Sequence, residues 1–240
     1  MEKLSGEAHD RFIKDMFSRI APHYDRMNRL MTAGQDARWR REVIRLAALP
    51  QQGRLLDLGA GTGDLAREAL RQNPDCQPVA VDFSMEMMKI GYSKSRLSRI
   101  TWAAGDVQRL PFLDGYFDAI FSGFLLRNVK DIRIALQEQV RVLKPGGRVV
   151  VLDTTPPPNT LFAPFIKLHL HVGIPLLGRL VARQPEAYRY LPASTESFLD
   201  AAQLAARMVN AGLVRVTFSL KMFGAVAIHW GQKPYQDGSN

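Results

Sequence analysis

The sequence has little cysteine and no cluster of metal-binding side chains. Cys76 is the single cysteine among 240 residues, so no disulfide can form within the chain. A chain without disulfides is typical of the reducing cytosol. Cys76 and the five histidines do not occur at the spacings of metal ligands, and we therefore expect no bound metal.

Long apolar runs are also missing. The first residues, Met1 to Glu7, are polar and lack the apolar core of a secretory signal. No stretch reaches the roughly 18 uncharged apolar residues of a membrane span. The length and the hydrophobic content of 46% suit one globular domain with a large core. These observations predict a cytoplasmic protein that forms a single domain over residues 1–240.

Acidic residues are few relative to basic ones. Against 32 Lys and Arg there are 23 Asp and Glu, which gives a net charge of +9. This excess favours contact with an anionic membrane surface, nucleic acid or an acidic partner, although it also serves simple solubility. Part of the excess lies in one predicted helix, from about Asp36 to Leu49, whose arginines are Arg38, Arg40, Arg41 and Arg45.

Glycine, in contrast, is concentrated in one informative stretch, from Leu55 to Asp64. Its apolar start predicts a buried strand, and its end leads into a predicted helix. The turn between them contains Gly59, Gly61 and Gly63, which carry no Cβ, so a ligand can approach the backbone closely. The free N–H groups of the helix start face that ligand. A strand, a glycine-rich turn and a helix in this order predict a nucleotide-binding α/β domain.

Two nucleotide classes compete for this turn. A dinucleotide such as NAD requires a small residue at the sixth place of its glycine fingerprint, and that place holds Asp64. A carboxylate at the helix start would repel a pyrophosphate, but it suits a cationic ligand without phosphate. S-adenosylmethionine is such a ligand. Asp82 follows a second apolar strand 19 residues after Gly63, where it can accept hydrogen bonds from ribose hydroxyls.

Beyond residue 54 the pattern alternates between strands and helices. We predict parallel strands near 54–58, 78–82, 100–104, 117–122 and 147–152, with helices near 63–72, 84–96 and 131–143. A last helix is expected from about 196 to 211, capped by Ser194 or Thr195, and an antiparallel hairpin follows it. The predicted fold is α/β and Rossmann-like, a seven-stranded mixed sheet with helices on both faces. The expected strand-end residues are Asp57, Asp82, Asp106, Ser122 and Asp153.

Two regions lie outside this pattern. Residues 1–50 are predicted to form an N-terminal helical cap. Residues 154–194 form an insertion that is rich in apolar residues but cut by Pro164, Gly173 and Pro175. We expect this insertion to cover the site as a lid, to lie on a membrane surface, or to be an ordinary core helix.

The chain resembles the S-adenosylmethionine-dependent C-methyltransferases of ubiquinone and menaquinone biosynthesis, from about Phe17 to Lys233. The motifs that carry the resemblance are Tyr24-Asp25-x-Met27-Asn28, Leu56-Asp57-Leu58-x-x-Gly61-Thr62-Gly63-Asp64, Leu126-Arg127-Asn128-Val129 and Tyr188-Arg189-Tyr190-Leu191. The resemblance implies a class I methyltransferase fold and S-adenosylmethionine as the cofactor. The cofactor-binding residues that it implies are Asp57, Gly59, Gly61, Thr62, Asp82, Phe83, Asp106, Val107 and Ser122.

Several positions depart from the family pattern. The family has an Asn-Ala pair at the positions that are Asp106 and Val107 in this chain. The family's serine before the Leu-Arg-Asn-Val motif aligns with Gly123, one place after Ser122. Asp36 stands where a histidine is usual. These departures fall largely on the substrate side and leave room for an altered acceptor.

The implied reaction transfers a methyl group to a ring carbon of a prenylated hydroquinone. The ring carbon becomes nucleophilic when a neighbouring hydroxyl loses its proton, and with a phenolic pKa of about 10 this needs a base or a nearby positive charge. Arg127 is the first candidate for that charge, although it could instead form a structural ion pair. The further catalytic candidates are Tyr24, His171, Tyr188 and Arg189, and a histidine in an apolar stretch such as His171 is often structural.

The partner expected from this reaction is a lipid quinol. The 161–177 stretch and the basic helix with its arginines could rest on an anionic membrane, which predicts a cytoplasmic enzyme peripheral to the inner face of the membrane. A second copy of the chain, which would form a homodimer, is a further candidate partner. The rival functions are methylation of another small hydrophobic acceptor, a basic nucleic-acid or membrane-binding module without catalysis, and an oxidoreductase. We expect no nucleic acid, because the end of the fourth strand, Phe121 to Phe124, lacks the Asn/Asp-Pro-Pro-aromatic turn of amino-group nucleic-acid methyltransferases.

Overall fold

A single mixed sheet organises the chain. The computed structural model describes residues 6–95, 99–156, 163–182 and 184–235. Within them seven strands form one sheet in the order β3-β2-β1-β4-β5-β7-β6. The strands are β1 (Arg54–Leu58), β2 (Gln77–Asp82), β3 (Thr101–Ala104), β4 (Phe117–Gly123), β5 (Leu143–Thr154), β6 (Val214–Lys221) and β7 (Val226–Gln232). The predicted fold class is confirmed.

The first five strands are parallel, and the last two are not. β1 pairs with β2 and β4, and β5 pairs with β4, all in parallel, whereas β7 runs antiparallel to both β5 and β6. Helices cover both faces of the sheet, so the central strands are apolar on both sides. Leu55, Leu56 and Leu58 of β1 are all at most 1% exposed. Because the strands β1 to β5 are parallel, their carboxyl ends meet at one edge, where ligands bind in this class of fold.

The N-terminal helices lie next to that edge. They are α1 (Gly6–Ile20), α2 (Tyr24–Met31) and α3 (Asp36–Ala47). A short 3₁₀ turn at Ala21–His23, which contains Pro22, separates α1 from α2. Ile13, Met16 and Ile20 of α1 pack in the same apolar cluster as Met27. The assignment of residues 1–50 as a cap stays a prediction.

The helices between the strands begin at defined capping residues. They are α4 (Asp64–Gln72), α5 (Met85–Lys94) and α6 (Ile132–Val142). Ser84 accepts a hydrogen bond from the Met87 N–H at the start of α5. Asp131 caps α6 in the same way, through the Ile134 N–H.

The region after β5 is more helical than the sequence predicts. A helix α7 (Ala163–Ala182) continues through Pro164, Gly173 and Pro175. Its five-residue π-helical segments, His169–Gly173 and Gly178–Ala182, loosen the hydrogen-bond pattern that a proline would otherwise break. By length and composition, α7 is a helix that could cross a membrane, although it contains Lys167 and Arg179. The sequence analysis found no such span because it considered only uncharged stretches. Residues 157–162, the start of the predicted insertion, lie outside the described residues.

The predicted last helix corresponds to α9 (Ala201–Asn210), and a separate helix, α8 (Pro185–Glu196), precedes it. Ser194 and Thr195, expected to cap the last helix, lie inside α8. The cap of α9 is Asp200, whose side chain accepts from the Gln203 N–H while the Gln203 side chain accepts from the Asp200 N–H. This reciprocal capping box stabilises the helix start and explains why α9 begins later than predicted.

Candidate active site

The turn after β1 presents bare backbone at the carboxyl edge of the sheet. Gly59, Gly61 and Gly63 have φ values of 61°, 56° and 80°, a left-handed conformation that favours glycine. A Cβ on Gly61 would lie 3.7 Å from Cε1 of Tyr24, within the cavity that Gly61 and Tyr24 both line. A side chain at Gly61 would therefore occupy space that the turn leaves to a ligand.

Asp82 ties this turn to the end of β2. Its Oδ2 atom accepts from the Gly61 N–H at 2.8 Å, and its Oδ1 atom accepts from the Ser84 N–H at 2.7 Å. Burial raises the pKa of Asp82, and the two N–H donors lower it in part. Each carboxylate oxygen can accept a second hydrogen bond, so the carboxylate can still bind ribose hydroxyls.

Asp57 is a buried carboxylate with one unused oxygen. Its Oδ2 atom accepts from the Ala66 N–H at 3.0 Å, whereas Oδ1 has no hydrogen-bond partner among the described residues. Burial raises the pKa of Asp57 to about 8. It lines a cavity of about 30 Å³ together with Gly59 and Thr62. A buried acceptor without a partner indicates a missing donor, and the amino group of S-adenosylmethionine is a donor that fits.

The opposite end of the groove suits an adenine ring. A cavity of about 180 Å³ is lined by Phe83, Asp106, Val107 and Leu125. Asp106 is exposed, and its Oδ1 atom accepts from the Gln108 N–H at 2.9 Å. Apolar walls with one carboxylate at the rim match a flat ring that carries an amino group.

A third, small cavity connects these two ends. It shares Phe83 and Leu125 with the adenine-sized cavity, and it shares Tyr24, Gly59 and Gly123 with the cavity at Asp57. The structure thus brings most of the predicted cofactor residues into one continuous groove. A larger cavity of about 610 Å³ lies at the opposite edge of the sheet, and the residues that line it were not predicted to be part of the site.

Ser122 is not in this groove. It is fully buried, its Oγ has no partner in the part of the chain that the structure describes, and the groove is lined by its neighbour Gly123. Successive side chains of a strand point to opposite faces, so a shift of one residue moves the contact from the groove to the core. The prediction that Ser122 binds the cofactor is corrected accordingly.

Asp64 and Thr62 have partners within the protein. Asp64 forms ion pairs with Arg40, at 2.5 Å, and with Arg67. Its charge is therefore compensated by the chain itself, which corrects the expectation that Asp64 awaits a cationic ligand. Thr62 Oγ1 donates to Asp25 at 2.6 Å and so fastens the glycine turn to α2.

A separate, mostly apolar cavity of about 260 Å³ lies beside the groove; we call it the apolar cavity. Phe124 lines both the groove and this cavity. Its apolar walls come from α7, α8 and the turn before β7. The polar side chains among its lining residues are Asn28, Thr32, Gln35, Arg127, Thr154, His169 and Thr195. Phe165 and Phe223 line it and are 70% and 65% exposed, so they mark its mouth. A cavity of this character suits an apolar molecule with a few polar substituents.

Arg127 reaches this cavity while it is held by an ion pair. Its Nη1 atom lies 2.6 Å from Oδ1 of Asp153, and its Cζ lies 5.3 Å from the centroid of the Phe124 ring. Its Nε–H has no hydrogen-bond partner from the described residues. The ion-pair interpretation of Arg127 therefore describes the structure, whereas its catalytic role stays a prediction.

Asn28 is a polar residue of the cavity that was not among the site residues predicted from the sequence. It is 8% exposed, and it lines the apolar cavity. Its Nδ2 donor makes no hydrogen bond of normal geometry within the described ranges, although the amide interacts with the Tyr24 phenol and lowers its pKa in part. The signal was present, because Asn28 ends the motif that begins at Tyr24. Tyr24 itself lines the cofactor groove, and burial raises the pKa of its phenol.

The structure does not bring His171 to the cavity. Its side chain is 49% exposed and pairs with Glu196 at 2.8 Å. His169, two residues earlier, lines the cavity instead, and its Nε2 atom lies 2.9 Å from the Met31 carbonyl oxygen. The prediction of His171 as a catalytic residue is therefore corrected, and His169 is the histidine in position to act.

Tyr188, a further candidate, is not among the residues that line the cavity. Tyr188 is 3% exposed, and its hydroxyl has no partner in the described parts of the chain. It packs against Gly178 of α7, and burial raises its pKa. This placement makes Tyr188 a packing residue between α7 and α8. Arg189 belongs to α8, but its side chain lies outside the described residues.

The sequence matches the ubiE/COQ5 methyltransferase family over residues 5–233. It is 45% identical over 221 residues to the ubiquinone/menaquinone biosynthesis C-methyltransferase UbiE of Desulfotalea psychrophila, with 92% of this chain and 90% of the relative covered. It is 44% identical to the demethylmenaquinone methyltransferase of Roseiflexus sp. (strain RS-1), with 92% and 93% covered. The demethylmenaquinone methyltransferase of Thermus thermophilus is 42% identical, with 91% of this chain and all of the relative covered, 100%.

Solved structures share the fold at low sequence identity. Phosphoethanolamine N-methyltransferase 2 of Haemonchus contortus in complex with S-adenosyl-L-methionine superposes with a TM-score of 0.63 at 16% identity, covering 82% of this chain and 52% of that chain. A putative S-adenosyl-L-methionine-dependent methyltransferase of Methanococcus maripaludis gives a TM-score of 0.61 at 22% identity, covering 91% and 94%. These similarities support the class I methyltransferase fold and nothing further about this chain.

Proposed function

Because the chain belongs to the ubiE/COQ5 methyltransferase family, we propose that its apolar cavity binds the aromatic head of a prenylated quinol and that a ring carbon is methylated there. The chain is an S-adenosylmethionine-dependent methyltransferase. Its activity is C-methylation in ubiquinone and menaquinone biosynthesis, of the demethylmenaquinone methyltransferase type.

The residues of the groove would hold S-adenosylmethionine by charge, hydrogen bonding and stacking. Asp57 would accept from its amino group, Asp82 from the ribose hydroxyls and Asp106 from the adenine amine, with Phe83 and Val107 against the ring. When bound, the cofactor supplies a methyl group on a positively charged sulfur. The glycine turn leaves the space that such close contact needs.

The two unpartnered donors of the apolar cavity carry the proposal for the acceptor. Arg127 Nε–H and Asn28 Nδ2–H₂ are both buried, and both side chains line this cavity. A buried donor without a partner costs free energy, of the order of 1–3 kcal/mol, that a ligand oxygen recovers. The quinol oxygen next to the reacting carbon is such an acceptor, and the donors favour it most when it is ionised. They would therefore lower the cost of forming the phenolate.

His169 is the residue we propose to receive the phenolic proton. The Met31 carbonyl oxygen can only accept a hydrogen bond, so the Nε2 atom of His169 carries a hydrogen. Nδ1 is then the basic nitrogen of the ring, which can take up a proton directly or through a water. The apolar walls of the cavity keep bulk water from the reacting atoms.

A methyl-transfer assay with two acceptors tests the proposed function. We expect the protein to methylate demethylmenaquinol in preference to a benzoquinol analogue of equal tail length. If protein that binds S-adenosylhomocysteine methylates neither quinol, the proposed acceptor is wrong and the cofactor assignment stands. Calorimetric titration with S-adenosylhomocysteine, NADH and a short DNA duplex separates the enzyme from an oxidoreductase and a nucleic-acid-binding module, and we expect binding of S-adenosylhomocysteine alone.

A further inference from the structure

Helix α7 is apolar on two opposite faces. The inner face packs into the protein, and each of its side chains is buried. The outer face is a row of aliphatic side chains between 52% and 69% exposed. The inner residues are Ile166, Leu170, Ile174, Gly178 and Ala182, and the outer residues, which we call the outer stripe, are Leu168, Val172, Leu176 and Leu180.

The hydrogen-bond pattern of α7 explains why both rows are continuous. An α-helix alone has 3.6 residues per turn, so a row at four-residue steps would drift around the axis. The π-helical segments at His169–Gly173 and Gly178–Ala182 have wider turns, which bring the average of the whole helix close to four residues per turn. Rows that are offset by two residues then lie on opposite sides of the helix.

An apolar outer row needs a partner. A helix on the surface of a soluble domain normally turns charged and polar residues toward water. Contiguous exposed apolar patches mark interaction surfaces for proteins or membranes. The outer stripe extends toward Phe165, one turn before Leu168 on the same helix and 70% exposed.

The charges around the stripe favour an anionic lipid surface over a second copy of this chain. Lys167 and Arg179, on one flank of α7, are exposed. Arg26 and Arg29 of α2, a helix that contacts α7, are exposed as well. A symmetric dimer through this surface would bring these cations toward their own copies, whereas anionic head groups would neutralise them.

The mouth of the apolar cavity lies at the same surface. Phe165 and Phe223 are exposed and line the cavity, so the cavity opens beside the outer stripe. In the basic helix α3, Arg40 is tied to Asp36 and Asp64 and is only 12% exposed, whereas Arg38 and Arg45 are exposed. The membrane role of α3 stays a prediction.

We propose that α7 lies in the interfacial region of an anionic membrane, with the outer stripe among the acyl chains and the cavity mouth against the lipid. Because the inner row packs on the domain, the helix would lie along the membrane rather than cross it. A lipid quinol would enter the cavity head first while its tail stays in the bilayer. This last step rests on the proposed function, whereas the membrane contact stands on the surface of α7 alone.

Flotation of the full-length protein with vesicles tests the contact. The vesicles contain equal parts of phosphatidylcholine and phosphatidylglycerol, or phosphatidylcholine alone. We expect the wild type to float with the anionic vesicles and less with the neutral ones. The double variant Leu168→Gln/Leu176→Gln should reduce the bound fraction about tenfold or more, because two aliphatic side chains no longer enter the lipid. Glutamine keeps the helix propensity high.

A matched control and a second readout keep the test specific. The control Leu113→Gln/Val209→Gln replaces two apolar residues that are 76% and 53% exposed outside α7, and it should float like the wild type. The stripe variant should lose methylation of a long-tailed quinol in vesicles but keep methylation of a short-tailed, water-soluble analogue. Retained methylation of the analogue also shows that the variant is folded.

The outcomes separate the membrane proposal from the proposed function. Wild type that methylates the soluble analogue without floating, or a stripe variant that floats as well as the wild type, would overturn the membrane proposal. Wild type that floats but methylates neither quinol would overturn the proposed function alone. A wild-type dimer that the stripe variant converts to monomer, with flotation unchanged, would assign the stripe to a second copy instead.

Discussion

Arg127 and Asp153 form an ion pair that is sealed from solvent. The Nη1–Oδ1 distance is 2.6 Å, and the two side chains are 5% and 1% exposed. The Asp153 carboxylate also accepts from the Arg127 backbone N–H at 3.3 Å. The pair fixes the guanidinium at the wall of the apolar cavity and leaves its Nε–H for a ligand oxygen. The positive charge therefore acts as an oriented donor and not as a free cation.

The first prediction concerns the stability of this pair. Asp153→Ala should lower the free energy of unfolding by about 3–5 kcal/mol, because it leaves a buried guanidinium unpaired. Urea denaturation measures the change. The double variant Arg127→Met/Asp153→Leu, which removes both charges, should be more stable than Asp153→Ala. A single variant as stable as the wild type would show that the pair is not sealed as the structure describes.

The second prediction separates activity from stability at Asn28. Asn28→Leu should lower kcat/KM for the quinol about 10- to 100-fold, because it removes one donor to the developing phenolate. The free energy of unfolding should change little, since the Nδ2 donor makes no hydrogen bond of normal geometry in the described part of the chain and interacts only weakly with the Tyr24 phenol. Steady-state kinetics and urea denaturation of the same sample measure both. Unchanged kinetics would remove Asn28 from the site. Asn73→Leu, which removes the hydrogen bond from Asn73 Nδ2 to the Pro50 carbonyl oxygen outside the site, should show the opposite pattern, a lower free energy of unfolding with unchanged kinetics.

The third prediction compares two neighbouring histidines. His169→Gln should lower kcat about 100-fold or more, since a proton acceptor in a general-base role contributes that much. His171→Gln should leave kcat unchanged, because His171 is exposed and pairs with Glu196. Equal losses in the two variants would contradict the assignment of the base to His169.

The fourth prediction follows from the raised pKa of Asp57, about 8. The unfolded chain loses this proton at much lower pH, near 4, so the folded state holds one proton more between these values. The free energy of unfolding should fall as pH rises through this window and level off above about pH 8. Asp57→Asn should remove this dependence. A wild type and an Asp57→Asn variant with parallel stability profiles would contradict the raised pKa.

Ligand binding gives an independent measure of the same group. The amino group of S-adenosylhomocysteine is cationic at neutral pH and prefers the ionised carboxylate. Its affinity for the wild type should therefore rise from about pH 6 to about pH 8, and Asp57→Asn should bind more weakly without this rise. Calorimetric titration across this range measures both. Affinity that falls with pH in the wild type would place the amino group elsewhere.

The sequence signals for the predicted cofactor groove are local. The glycines from Gly59 to Gly63 and the carboxylate of Asp82 follow two apolar strands at fixed distances, and parallel strands bring their ends together. Asp57 likewise lies in a strand that the apolar pattern identifies. The topology of the sheet follows from the alternation of strand and helix and from the short link before β7.

The rest depends on contacts that local patterns do not contain. The compensation of Asp64 requires Arg40, which lies on a different helix. His169 lines the apolar cavity in place of His171 because the π-helical turns of α7 change the face that each residue occupies. Ser122 and Gly123 differ by one strand position, and only the register with β1 and β5 decides which of them meets the groove.

We propose above all that the methyl group is transferred to a ring carbon of a quinol held in the apolar cavity. The most direct measurement is nuclear magnetic resonance of the product formed from demethylmenaquinol and S-adenosylmethionine with an isotopically labelled methyl group. We expect the label on a ring carbon, with much less product from Asn28→Leu. A label on a quinol oxygen, or no labelled product from protein that binds S-adenosylhomocysteine, would contradict the claim.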